Sequence, residues 1–426
     1  MSIVLRAARP YGEAPVDLVI ADGLIVDIVP EGTGEGEVLD CTGLIALPGF
    51  VDLHTHLREP GREDAETVES GSRAAALGGY TCVHAMANTS PVADTAGVVE
   101  QVWRLGERTG LVDVRPVGAV TVGLAGERMA EIGAMANSAA QVRVFSDDGK
   151  CVHDAALMRR ALEYVKAFDG VVAQHAQEPR LTENAQMNEG ILSGQLGLAG
   201  WPAVAEEAII ARDVLLAQHV DSRLHVCHVS TAGSVEVIRW AKARGVNVTA
   251  EVCPHHLILT EDLVASYDPI YKVNPPLRTA ADIEALRSAL ADGTIDAIAT
   301  DHAPHPHEDK DCEWGAAAFG MLGLETAFSI AVKTMIEPGL LDWRALADRM
   351  STSPARIGRV REQGHEIAVG SIANIALVDP SASRVISAEG LASKSRNTPY
   401  ASMELPGAVV HVLFGGNFTV RNGALA

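Results

Sequence analysis

Two histidines one residue apart, His54 and His56, close an apolar run at residues 50–53, and similar groups recur at the ends of later runs. Alternate residues of a strand project to one face, so both imidazoles of His54-Thr55-His56 can reach a single cation. An H-x-H pair alone is a weak signal, and its context decides its meaning. Here the runs at 81–86, 141–145, 171–174, 224–227 and 297–300 lead into Asn88, Asp147-Asp148, His175, His228 and Asp301-His302. Imidazole nitrogens and carboxylate oxygens are the donors that divalent zinc prefers. A cation so held polarises a carbonyl and brings the pKa of a bound water to about 7. The chemistry open to these residues is metal-assisted hydrolysis, or its reverse.

Residues this far apart in sequence need a scaffold that gathers strand ends. With 112–117 and 246–252 there are eight short runs, separated by amphipathic stretches such as 206–218 and 233–244. Alternating strand and helix patterns predict repeated β-α units. Eight of them suit a (β/α)8 TIM barrel, whose active sites lie at the C-terminal strand ends. The two chain ends differ from this middle. Strand-like runs at 17–20 and 24–28 flank an Ala21-Asp22-Gly23 turn, and 374–378, 408–414 and 419–421 look alike. This predicts a small β-sandwich subdomain built from residues 1–48 and 361–426, around a barrel at 49–360. Two separate β appendages are the alternative.

Composition narrows the partners. The 426 residues carry 34 Lys and Arg against 55 Asp and Glu, a formal net charge of −21 with His neutral. Such a field argues against nucleic acid and anionic membranes, and requires an anionic substrate to be drawn by local positive charge. The six cysteines are scattered without a C-x-x-C, the N-terminus lacks an apolar signal core, and no run approaches a membrane span of about 18 apolar residues. The expectation is a cytoplasmic protein with reduced thiols.

The segment Pro48-Gly49-Phe50-Val51-Asp52-Leu53-His54-Thr55-His56-Leu57-Arg58-Glu59-Pro60-Gly61 resembles a signature of class I dihydroorotases of the amidohydrolase superfamily, and Ala299-Thr300-Asp301-His302-Ala303-Pro304-His305 resembles a second. Between and beyond them, in family order, stand Ala87-Asn88-Thr89, Phe145-Ser146-Asp147-Asp148-Gly149, Gln174-His175-Ala176, Cys227-His228-Val229-Ser230, Val273-Asn274-Pro275-Pro276-Leu277-Arg278, Phe319-Gly320 and Ser393-Lys394-Ser395-Arg396-Asn397-Thr398-Pro399. The resemblance implies a zinc-dependent enzyme with one or two ions per chain, two being the expectation. His54, His56 and Asp301 match the ligands of one, His175 and His228 those of the other, and Asp148 the bridging carboxylate. Many relatives bridge with a carboxylated lysine. Here the spacing to His175 favours Asp148 over Asp147, and Lys150 is expected to be a solvated loop residue.

The reaction implied is the reversible cyclisation of N-carbamoyl-L-aspartate to L-dihydroorotate and water in pyrimidine biosynthesis, with Asp301 as general acid/base and a metal-bound hydroxide as nucleophile. Arg58 has the planar fork to hold the substrate carboxylate bidentately. Asn88 and Asn274 are expected to add amide donors, and His56, His305, Phe319 and Gly320 border the substrate. The competing readings are a surface ion pair or cap for Arg58 and Asn88, and a plain Asn-Pro-Pro turn for Asn274. His255 and His256 are expected to be structural or to support the site. His84, His153, His219, His225, His365 and His411 are expected to be surface or packing residues. Residues 305–318 form a flap or a solvated loop. The resemblance further implies a homodimer, or association with aspartate transcarbamoylase. Two other functions remain: an allantoinase- or dihydropyrimidinase-like cyclic amidohydrolase, and a non-catalytic partner of aspartate transcarbamoylase.

Overall fold

The chain was analysed as a computed structural model that describes residues 2–426. It opens with five strands, β1 (Ile3–Pro10), β2 (Val16–Ala21), β3 (Leu24–Pro30), β4 (Glu37–Asp40) and β5 (Ile45–Pro48). The turn at Asp22-Gly23 joins β2 to β3 as an antiparallel hairpin, both residues having the positive φ such a turn requires. The next strands are β6 (Phe50–Thr55), β7 (Tyr80–Ala85), β8 (Asp113–Pro116), β9 (Val144–Phe145) and β10 (Val171–Gln174). A short excursion carries β11 (Met187–Asn188) and β12 (Gly200–Trp201), followed by β13 (Leu224–Val226), β14 (Val248–Val252) and β15 (Ala297–Ile298).

Strands β6, β7 and β8 pair in parallel, as do β9, β10, β13, β14 and β15. Parallel bridges between Gly118 and Phe145, and between Thr55 and His302, join the two sets into a closed eight-stranded barrel. Each barrel strand is followed by a helix: Val68–Leu77, Ala96–Thr109, Ile132–Asn137, Ala155–Val165, Val204–Val220, Ala232–Ala243, Ala280–Asp292 and Ala327–Ala331. Several helix starts are written locally. Thr67 and Thr279 close reciprocal caps with Ser70 and Asp282, while Asp154 and Thr231 accept from the backbone of Leu157 and Ser234.

The chain ends in β16 (Ile375–Val385), β17 (Glu404–Phe414), β18 (Asn417–Arg421) and β19 (Ala424–Leu425). Strand β16 pairs antiparallel with β5, and β5 pairs with β1, so both ends enter one continuous sheet. Leu5, Leu18, Ile20 and Ile25 from one end share a core with Ile375, Leu377 and Leu413 from the other. The alternative of two separate appendages is therefore excluded. Among the described residues no helix is long and apolar enough to cross a membrane.

Candidate metal and substrate site

The strand-end residues His54, His56, Asp148, His175, His228 and Asp301 converge on one mouth. Strand β6 ends in a polar knot below it. Buried Asp52 accepts from the backbone of His54 and Thr300 and from the hydroxyls of Thr55 and Thr300, which fixes the end of β6 against the loop after β15. His54 and His56 then emerge on the same side of the strand, with ring centroids 5.4 Å apart.

Their tautomers are set by what lies behind them. His54 Nδ1 donates to Glu251 Oε1 at 2.8 Å, and the other oxygen of Glu251 accepts from His225 Nε2 at 2.9 Å. Burial would raise the Glu251 pKa, but the hydrogen bonds and charges of His225 and His54 bring it down to about 2. With Nδ1 donating to Glu251, His54 turns Nε2 toward the mouth, where it makes no aligned hydrogen bond and lies 3.2 Å from Asp148 Oδ1. His56 Nδ1 donates to Asn88 Oδ1 at 2.9 Å, leaving Nε2 at 3.0 Å from Asp301 Oδ1 and 3.4 Å from Asp148 Oδ2. His175 Nε2 donates to Gln177 Oε1 at 2.7 Å, so its Nδ1 faces His228 Nε2 at 2.9 Å. Both of those nitrogens lie 3.3 Å from Asp148 Oδ1.

Imidazole nitrogens and carboxylate oxygens that converge at about 3 Å are the donor pattern a cation satisfies. The clusters His54–His56–Asp148 and Asp148–His175–His228 each bring three donor atoms within 4.8 Å of one another, and share Asp148. Electrostatics agrees. Burial works against a charge on His54, yet Asp148 and Asp301 carry its pKa well above the ordinary imidazole value. The cage demands positive charge, as proton or as metal, and its residues fit a divalent ion.

Asp147 points elsewhere: it accepts from the backbone of Val120 and Thr121 and from the Thr121 hydroxyl, and Lys150 is exposed. Asp148, Asp301, His56 and His175 line a cavity of about 230 Å³ together with Arg58, Asn88, Gly149, Asn274, Ala303, His305, Phe319 and Gly320. Arg58, His228 and Asp301 all adopt positive φ, a conformation that costs non-glycine residues and gathers at functional sites. Burial pushes the Arg58 guanidinium down only to about 10, so it stays charged at neutral pH. Its Nε donates to the Pro304 carbonyl at 3.0 Å, which steadies the fork at the cavity wall. Burial and the charge of Arg58 push His305 down to about 3; neutral, it donates from Nε2 to the Phe319 carbonyl at 2.8 Å. Gly320 has φ +142, and a Cβ there would stand 2.7 Å from Ala303 Cβ and 2.9 Å from His305 Nε2, so only glycine fits.

Several expectations change. Asn88 spends its Oδ1 on His56, which leaves its amide N–H groups free, and Asn274 Nδ2 gives one of its two N–H groups to Gln177 Oε1 at 3.2 Å while its Oδ1 is buried without a partner. His225 is more than packing, since it completes the Glu251 relay. His302 holds the frame: Gly323 and Leu324 donate to its Nδ1, and its Nε2 lies 3.3 Å from Glu66. His256 contacts the Pro275 and Pro276 carbonyls, in keeping with a supporting role. Residues 305–318 are tied down, with buried Lys310 donating to the carbonyls of Pro269 and Lys272 and Arg62 pairing with Asp309 at 2.8 Å. The motif at 393–399 reaches the mouth as well. Asn397 donates to the carbonyls of Ala303 and Gly320 and accepts from the His305 backbone. Sequence reasoning missed Glu251 and Gln177; the visible signals were a lone acid within an apolar run, and an amide two residues past His175.

Solved structures share this architecture. L-hydantoinase (dihydropyrimidinase) from Arthrobacter aurescens overlays with a TM-score of 0.89 at 24% identity, covering 100% of this chain and 97% of that one. Dihydropyrimidinase from Brevibacillus agri NCHU1002 overlays with a TM-score of 0.85 at 25% identity, covering 100% and 96%. The fold is thus that of the barrel amidohydrolases, with a shared-carboxylate histidine cage at its mouth. Sequence narrows the class. A dihydro-orotase-like family model matches residues 43–234. Dihydroorotase of Streptomyces coelicolor is 65% identical over 424 residues, covering 99% of each chain, and that of Mycobacterium tuberculosis is 56% identical over 428 residues, covering 100% of each. The chain belongs to the dihydroorotase family.

Proposed function

We propose that this mouth interconverts N-carbamoyl-L-aspartate and L-dihydroorotate, with His54, His56, His175, His228, Asp148 and Asp301 holding one or two zinc ions. The observation that carries this reading is a cage of imidazole nitrogens converging on Asp148, beside a single charged guanidinium in a cavity of about 230 Å³. A divalent ion bound there supplies Lewis acidity at the carbonyl and acidifies water. The chain's own residues do the rest. Arg58 takes the substrate carboxylate, which answers the −21 net charge with one local cation. Asn88 turns its amide N–H groups to the substrate, and His305, Phe319 and Gly320 wall the ring. Asp301 accepts the proton of the attacking water and returns it to the leaving ring nitrogen; in cyclisation the same transfers run backwards.

An aspartate bridge and the presence of Arg58 favour dihydroorotate over dihydrouracil and simple hydantoins, which lack the carboxylate. Retention of every expected ligand speaks against a non-catalytic partner. We further assign residues 49–360 to the barrel and 1–48 with 361–426 to the β subdomain, whose loop at 393–399 reaches the mouth. Ring opening of dihydroorotate, allantoin and dihydrouracil, measured with metal content per chain before and after chelation, tests this reading. Dihydroorotate turnover that falls with the metal supports it. Full activity in a metal-free preparation, or preference for allantoin, overturns it.

A further inference from the structure

One side chain outside the expected set touches both halves of the site. Gln177 Oε1 accepts from His175 Nε2 at 2.7 Å and from Asn274 Nδ2 at 3.2 Å. The direction of these bonds is settled from the far end. The Thr182 hydroxyl donates to the Glu178 carbonyl at 3.1 Å, so its oxygen accepts from Gln177 Nε2, at 2.8 Å. With its NH2 turned to Thr182, Gln177 presents only its carbonyl oxygen to His175 and Asn274. Each must therefore donate. His175 carries its proton on Nε2 and leaves Nδ1 free for the cage around Asp148. Asn274 gives one of its two N–H groups to Gln177, which holds its side chain at the wall of the cavity.

We propose that Gln177 is a positioning residue that fixes two things through one oxygen: the tautomer of His175, and the orientation of the Asn274 side chain at the cavity wall. The inference rests on the ring-opening reading above and ties its metal cage to its substrate wall through one residue.

The test compares the zinc-loaded parent with Gln177→Leu, Gln177→Glu, Asn274→Ala and the Gln177→Leu/Asn274→Ala double variant. Readouts are KM and kcat for dihydroorotate in excess zinc, and zinc loss to a competing chelator. Gln177→Leu is expected to raise KM about tenfold, change kcat less, and weaken zinc retention about 10-fold or more, as lost support of a ligating histidine does. Gln177→Glu keeps an acceptor for both partners and is expected to restore both properties. In the double variant KM should match that of Asn274→Ala alone. Gln177→Leu with parental KM and zinc retention overturns the proposal. So does a Gln177→Glu variant as impaired as Gln177→Leu, or a KM penalty that adds in full to that of Asn274→Ala. A parent that does not open dihydroorotate fails the earlier reading instead, independently of these variants.

Discussion

Two buried carboxylates, Asp17 in the β subdomain and Asp301 at the barrel mouth, have opposite surroundings. Asp17 is enclosed by its own neighbourhood: the backbone N–H groups of Ala7, Gly32 and Gly34 donate to it at 3.0–3.1 Å, and Arg6 stands 3.6 Å away. Burial opposes its charge, but those donors hold its pKa below the usual carboxylate value. Asp301 sits on a strained backbone at φ 46 and faces His56 at 3.0 Å and His54 at 3.5 Å across an open cavity. One carboxylate closes a loop and is spent. The other is held by groups that themselves need a cation. Burial of an acid says little by itself; what marks a site is a cluster whose polar demands the protein leaves unmet.

That contrast can be broken by substitution. Asp301→Asn should lower kcat by about 10³-fold, the scale of a lost general acid/base, with the melting temperature nearly unchanged; steady-state kinetics and calorimetry check both. A variant that remains fully active would place Asp301 with Asp17 among the structural acids. Arg58→Ala should cut kcat/KM for dihydroorotate by about 100-fold, within the range for truncating a buried charge-pair partner. Zinc content per chain should stay at the parental level, and equal activity would remove Arg58 from carboxylate recognition.

Glu251→Gln sharpens the comparison, because this acid is as enclosed as Asp17 yet backs His54. Metal affinity should fall about tenfold, measured by chelator competition, since the outer partner of a ligating histidine sets its orientation and basicity. Asp17→Ala is the smallest functional change: kcat/KM stays parental while stability falls by about 1–3 kcal/mol from the buried donors left unpaired. Because the folded pKa of Asp17 lies below the unfolded value of about 3.9, its contribution is present above that pH and fades as pH falls through the folded pKa. The stability gap between parent and Asp17→Ala should therefore narrow in acid; a gap that widens would reject this account.

Much of the molecule was legible in its residues. Each of the eight β-branched runs overlaps a barrel strand, because alternation and run length depend on local sequence. The fourth and eighth strands shrink to Val144–Phe145 and Ala297–Ile298, since pairing, which only neighbours supply, ends where the chain turns toward the mouth. The strand-end residues His54, His56, Asp148, His175, His228 and Asp301 could be named from order and spacing, as could Arg58 from its place two residues after His56. The sequence could also rank Asp148 over Asp147, although only the fold shows Asp147 occupied by Val120 and Thr121.

Roles that depend on hydrogen-bond direction were out of reach. Glu251 reads as one acid in an apolar strand until β14 sets it behind His54 and beside His225. Gln177 reads as a plain amide until its oxygen is found between His175 and Asn274. The joining of both chain ends in one sheet was a pattern in the sequence, but the pairing of β5 with β16 decided it. Local sequence determines which residues form strands and which side chains can bind a metal, because those properties belong to each residue and its near neighbours. Which ring nitrogen donates and which faces the mouth is decided by partners up to 197 residues away, as between His54 and Glu251, and only the closed barrel brings them together.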